Sequence, residues 1–256
     1  MASSAASSVG MAVFALLLLS GCTSTEVADS HRGHSSSSTP ESTVAPSIAA
    51  TYSASSPDPS PSTPVDIDSA SSLTVLVNKT RPLPPITYAP GDLVTVSGVQ
   101  LRADAAAAAE RMFADAAAQG VQMSALSGYR SYEQQVQTYN AWVAAYGQDQ
   151  ADVASARPGY SEHQTGLALD IGTDGSCDLQ VCFKDTDAAV WAAQHAQDYG
   201  FVLRYPWWHH ETTGYWYESW HFRYVGVEEA KALKSSGLET LEEFWGADAA
   251  PAYPTQ

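Results

Sequence analysis

The chain has 256 residues, 45% of them hydrophobic, with a formal net charge of −16, seven histidines and three cysteines. So acidic a chain, with four lysines in all, excludes nucleic acid as a partner, because phosphate binding needs clustered Lys and Arg. The acidic surface itself reads as a solvated exterior rather than a binding device.

The first segments in chain order do not read as parts of a fold. Residues 1–22 contain an apolar run, Met11 to Leu19, too short to span a bilayer and suited to a signal-peptide core. It ends in Leu19-Ser20-Gly21-Cys22, which resembles the lipobox of bacterial lipoproteins, whose cleavage leaves the cysteine as a lipid-bearing N-terminus. No Lys or Arg precedes the run, where such a signal normally carries charge, and an ordinary secretory signal with an incidental cysteine is the alternative. The lipobox implies an exported protein, lipid-anchored at Cys22 to the outer face of the bacterial cell membrane, where each buried methylene contributes about 0.8 kcal/mol. Residues 23–72 are rich in Ser, Thr, Pro and Ala without apolar periodicity, so they are expected to be a disordered linker.

One globular domain remains, residues 73–246, followed by a short tail, 247–256, expected to be disordered. Leu73 to Val77 reads as a strand and Arg81 to Pro85 as an extended arm. Leu101 to Gln119 is a predicted helix with Leu101, Ala105, Ala108, Met112 and Ala116 on one stripe and Gly120 at its C-terminal end. Val121 to Leu126 alternates as a strand does, and a second helix follows over Tyr132 to Tyr146, stopped by Gly147. Leu167 to Ile171 is an apolar strand with one embedded acid, Asp170. Asp187 to Tyr199 is a third helix closed by Gly200, Phe201 to Arg204 and Trp220 to Val225 are strands, and Val227 to Ser235 is a last helix. Helices and strands mix without a β-α-β repeat, which predicts an α+β domain: a small, mainly antiparallel sheet flanked by helices.

Three stretches carry the chemistry: Ser127 to Ser131, Ser161 to Asp170 and Tyr217 to Tyr224. A catalytic zinc takes three protein nitrogen or carboxylate ligands and leaves one position open, and His163, Asp170 and His221 supply that set. Gly166 permits a sharp turn between the first two. Glu218 is a candidate base for water, and residues three apart on a strand face opposite sides, so Glu218 should lie in a loop and His221 on the strand after it. With Cys22 assigned, Cys177 and Cys182 form the remaining pair, read as a disulfide because no further cysteine completes a thiolate metal site. His210-Glu211-Thr212-Thr213-Gly214 begins like the His-Glu-x-x-His zinc motif but ends in glycine, so His209 and His210 are assigned to the rim. A serine peptidase is excluded, since none of the four lysines has a serine three positions earlier and no Gly-x-Ser-x-Gly occurs.

These stretches resemble the LAS zinc metallopeptidases, specifically the VanY-like D-alanyl-D-alanine carboxypeptidases. Ser-x-His-x-x-Gly-x-Ala-x-Asp is complete at 161–170, Glu-x-x-His with Phe-Arg-Tyr-Val-Gly at 218–226, and Ser-Gly-Tyr-Arg-Ser fits at 127–131. Ser219 departs from the family, where proline is common. The resemblance covers nearly all of 73–230 and implies Zn2+ on His163, Asp170 and His221, with Glu218 as general base and acid. It further implies Arg130 on the scissile carbonyl or oxyanion, and Ser161 and Gln164 near the substrate's terminal carboxylate. The implied substrate is a peptidoglycan stem peptide or its precursor, cut by a D,D-carboxypeptidase. The alternatives are an L,D-carboxypeptidase acting on the tetrapeptide, or a module that binds peptidoglycan without turnover.

Overall fold

A computed structural model describes residues 65–255; the segment expected to be a signal sequence, Cys22 and most of the expected linker lie outside the described residues. The elements run β1 (Leu93–Val96), β2 (Val99–Arg102), α1 (Ala103–Ala118), β3 (Ser124–Ser127), α2 (Tyr132–Tyr146), α3 (Gln148–Ala154) and β4 (Ala168–Gly172). They continue with α4 (Asp187–His195), β5 (Phe201–Leu203), α5 (His210–Thr213), β6 (His221–Tyr224), α6 (Val227–Ser236) and α7 (Leu241–Phe244). Four strands form one antiparallel sheet in the order β3-β4-β6-β5, and β1 and β2 form a separate hairpin. The protein therefore has the α+β architecture expected from its sequence. Among the described residues no helix is long and apolar enough to cross a membrane.

Alternation along the two central strands sorts apolar from polar side chains. Leu169 and Ile171 of β4 and Phe222 and Tyr224 of β6 join the core with Leu101, Met112 and the alanines of α1. The small alanine side chains at 105, 108, 109 and 116 are fully buried and let that helix pack closely. The other positions of the same strands, Asp170, His221 and Arg223, are also buried, so this sheet presents an ionic face to the interior of the protein. In the β4–β6 register Asp170 stands opposite His221, and directly opposed residues of an antiparallel pair have neighbouring side chains. Strand pairing alone thus brings two of the expected ligands together.

Two expectations about the edges of the domain are corrected. Leu73 to Val77 is not a strand, although Val75, Leu76 and Val77 are buried. Its backbone groups are met otherwise: Leu76 N donates to Ile67 O, and Arg223 Nη2 donates to the carbonyls of Leu73 and Val75. A buried guanidinium substitutes for a neighbouring strand. The folded unit also begins before residue 73 and continues past 246. Ala70 and Ala250 are buried, Ala250 N donates to Thr212 O, and the Tyr253 hydroxyl accepts from Arg157 N. The segment expected as a tail is thus packed against the loop after α5, where a Cβ on Gly214 would come 2.4 Å from Ala250 O at a φ of +83°. Gly214→Ala is expected to cost roughly 1–3 kcal/mol in a chemical-denaturation measurement, through the left-handed backbone and the clash together.

Candidate metal centre

His163 sits in a 3-10 turn, Glu162–Thr165, that Gly166 ends in the left-handed conformation, with φ of 70°. That turn delivers the histidine beside Asp170, near the end of β4, and His221, the first residue of β6. His163 Nε2 lies 3.3 Å from Asp170 Oδ2, and His221 Nδ1 lies 3.1 Å from Asp170 Oδ1. One ligand atom from each of the three residues falls within 4.8 Å of the others. Tetrahedral zinc with bonds near 2 Å needs ligand atoms roughly 3.3 Å apart, the size of each of the two short separations, one to each Asp170 oxygen.

The hydrogen bonds of the two imidazoles fix which nitrogen is free. His163 Nδ1 is 2.7 Å from Gly128 O, which can only accept, so the proton sits on Nδ1 and Nε2 keeps its lone pair. His221 Nε2 is 3.3 Å from Glu162 Oε2, which leaves Nδ1 free to face Asp170. Metal-bound histidines are held by carboxylates and carbonyls in this way. Asp170 Oδ1 is buried and, despite its 3.1 Å approach to His221, has no hydrogen bond among the described residues. A buried carboxylate with one imidazole nitrogen beside each of its oxygens, and no hydrogen bond on Oδ1, fits a divalent cation. The field has the matching sign. Burial opposes charge on His221, yet its contacts with Asp170 and Glu162 prevail and raise it to about 10, while Asp170 and Glu162 themselves are held well below the carboxylate range.

Glu218 lies in the loop before β6, as expected, with Glu218 N donating to Tyr205 O and His221 N turning back to Glu218 O. Its Oε2 is 3.7 Å from His221 Nδ1, close to the centre without belonging to the ligand set. Burial pushes this carboxyl up to about 7. Arg130 faces the same space, its Nη1 donating to Gln135 Oε1 at 3.0 Å and its Nη2 to Ser127 Oγ at 3.2 Å. A register shift between Ala125 and Ser127 in β3 accompanies this turn of the chain. Arg130, Ser161, His163, Asp170, Glu218 and His221 all line one cavity of about 910 Å3.

Gln164 is not among them. It is fully buried, and its side-chain nitrogen donates to the carbonyls of Ile86 and Tyr88, so it fastens the arm after Pro85. The expectation that it meets substrate is corrected: Gln164 follows a ligand in a one-turn helix and points the other way. His209 pairs with Glu239 at 2.9 Å, whereas His210 lines the cavity's rim. Cys177 and Cys182 are joined in a disulfide with Cα atoms 5.3 Å apart, and the intervening Leu179 and Val181 also line the cavity.

Sequence reasoning missed Glu162, the centre of the buried ionic face. It accepts from Arg204 Nε at 2.8 Å and Arg223 Nη1 at 2.9 Å besides its contact with His221, and Arg204 also forks onto Glu242. The signal was present. Arg223 is two residues from His221 on a strand, hence on the same face, and a buried arginine there requires an acid. Gln135 was also missed; its side-chain nitrogen is anchored on Ala156 O at 2.6 Å, which holds its oxygen toward Arg130.

Three buried donors on two strands and a turn, with a carboxyl and an arginine alongside, are the set that a mononuclear hydrolytic metal centre would use. The family model for VanY, D-alanyl-D-alanine carboxypeptidase, matches residues 98–227. YodJ of Bacillus subtilis (strain 168) is 38% identical over 190 residues, covering 70% of this chain and 69% of that protein. Among solved structures, the LdcB LD-carboxypeptidase superposes with a TM-score of 0.64 at 38% identity, covering 70% of this chain and 88% of that one. A Glu-to-Ala variant of the vancomycin-resistance D,D-pentapeptidase VanY, in complex with Zn(II), gives 0.59 at 34% identity, covering 68% and 98%. The chain belongs to the VanY family of carboxypeptidases.

Proposed function

We propose that this protein is a zinc-dependent D,D-carboxypeptidase that removes the terminal D-Ala from peptidoglycan stem peptides. The observation that carries the reading is the convergence of His163, Asp170 and His221 beside Glu218 and Arg130 in one cavity. His163, Asp170 and His221 would hold the ion, which would supply Lewis acidity toward water and the scissile carbonyl. Glu218 takes the proton from the attacking water and returns it to the departing amine as the amide C–N bond breaks and a C–O bond forms. Arg130, oriented by Gln135 and Ser127, donates to the carbonyl oxygen as negative charge develops on it. The Ser161 hydroxyl, at the cavity wall, binds the terminal carboxylate.

A second reading is L,D-carboxypeptidase action on the tetrapeptide stem, favoured by the likeness to LdcB. Retention of the base, the arginine and all three ligands argues against a module that binds without turnover. Export and lipidation at Cys22 are part of the proposal and rest on the lipobox alone; they suit an enzyme whose substrate lies outside the membrane.

Incubating the zinc-loaded protein with synthetic stem pentapeptide and tetrapeptide, followed by mass spectrometry, tests this reading. Loss of one alanine from the pentapeptide alone is expected. Loss from the tetrapeptide alone would transfer the assignment to the L,D class, and cleavage of neither would overturn both.

A further inference from the structure

The mouth of the cavity carries more aromatic surface than the chemistry requires. Trp208 is 80% exposed, Trp216 58% and Trp207 43%. They are not loose. Trp207 packs edge-on against Trp208, ring centroids 5.6 Å apart, and against Tyr217 at 4.7 Å, both at 83°. Trp208 also has a φ of +70°, a backbone conformation that costs a bulky residue free energy, and its indole recovers little of that by burial. All three tryptophans line the same cavity as Glu218 and His221, so this surface is continuous with the site. At about 910 Å3, near the upper end of the roughly 300–1,000 Å3 of small-molecule pockets, the cavity has room well beyond a terminal alanine.

We propose that Trp207, Trp208 and Trp216 form a saccharide-stacking surface for the uncharged N-acetylhexosamine glycan that carries the stem peptide. The inference rests on the stem-peptide reading above. Indole faces carry negative partial charge and attract the C–H bonds on the face of a pyranose ring, while the ring hydroxyls at its edge stay in water. The charged neighbours select for a neutral partner. Glu211 and Glu239 are exposed beside the histidines of the loop, and the nearby Lys184 is taken up by Asp185 at 2.6 Å. An anionic bilayer or anionic polymer would be repelled there. A muramyl sugar would not, because its carboxyl is consumed in the amide that joins it to the peptide.

The test compares kcat/KM on the free stem peptide with that on the same peptide bearing its amino-sugar disaccharide, for the wild type and for a Trp208→Ala, Trp216→Ala double variant. The wild type is expected to favour the sugar-bearing substrate roughly tenfold, in line with stacking on one or two rings. The double variant should lose that preference and cleave the free peptide as before; both side chains are largely exposed, so folding is preserved. Equal wild-type rates with and without sugar would overturn the proposal, as would a parallel loss on both substrates. Tryptophan fluorescence titrated with an N-acetylglucosamine tetramer adds a readout independent of catalysis. If the wild type cleaves neither substrate, the carboxypeptidase reading fails, yet quenching that depends on Trp208 and Trp216 still supports the surface and its absence overturns it. Sedimentation with phosphatidylcholine vesicles that depends on the same tryptophans, without a saccharide response, would make the surface a membrane contact and overturn the glycan assignment.

Discussion

Replacing Glu218 by Gln is expected to lower kcat by about 10²–10⁴-fold while leaving one zinc bound per chain. The two halves of that expectation have separate causes. The amide keeps the size of the side chain and suits a partly buried position, so the loop that ends at His221 should keep its shape. Glu218 lies 3.7 Å from His221 Nδ1 but supplies none of the three grouped ligand atoms, so metal retention does not depend on it. What disappears is the oxygen that accepts and returns a proton. Asp170→Asn provides the contrast, since it weakens the ligand set itself and should lose zinc and activity together. Steady-state kinetics with elemental analysis of each variant separates the cases; a kcat for Glu218→Gln within tenfold of wild type would remove Glu218 as the base.

The second large effect is on stability. Glu162→Ala is expected to destabilise the protein by about 3–5 kcal/mol in urea unfolding, the usual cost of breaking a buried ion pair from one side. Glu162 is enclosed by the Arg204 and Arg223 guanidiniums, both fully buried, and each would be left with one partner fewer. Arg204 keeps Glu242, but Arg223 keeps only the carbonyls of Leu73, Val75 and Tyr224. The same variant frees His221 Nε2 from its carboxylate, so zinc affinity should fall about 10–100-fold. A loss below about 1 kcal/mol with unchanged zinc affinity would show that the ionic face neither supports the fold nor orients the ligand.

The sequence made the helices legible where punctuation was strong. The second helix was read at its observed bounds with Gly147 as its stop, and the structure adds a capping box at Ser131 that the sequence reading did not use. The alanine stripe of α1 was read correctly, but its start was placed too early, since Leu101 and Arg102 belong to β2. That hairpin had a signal that was passed over: Ser97-Gly98 between alternating apolar residues, which fold with φ of 48° and 87° as a type I′ turn requires. Thr240 and Glu243, the cap of α7, were likewise readable as a Thr-x-x-Glu box. The 73–77 segment misled because a short apolar run looks alike whether its partner is a strand or an arginine.

At the site, the three expected ligands and Glu218 stand together because their spacing encodes a turn, a strand end and a loop, which local sequence reports well. Gln164 misled because motif adjacency does not fix which way a residue in a single helical turn points. Glu162 was signalled only indirectly, through Arg223, because Arg204 and Arg223 reach it from distant parts of the chain, and Gln135 gave no signal, since its orientation toward Arg130 depends on Ala156 O.

The most direct test of the account is metal reconstitution. The protein is stripped with a chelator, zinc is titrated back, and bound zinc and release of D-Ala from stem pentapeptide are followed together, with His163→Ala alongside. The account predicts that activity vanishes on stripping and returns in proportion to zinc up to one equivalent, and that His163→Ala neither binds zinc tightly nor turns over. Full activity in the stripped protein, or one tight equivalent retained by His163→Ala, would contradict it.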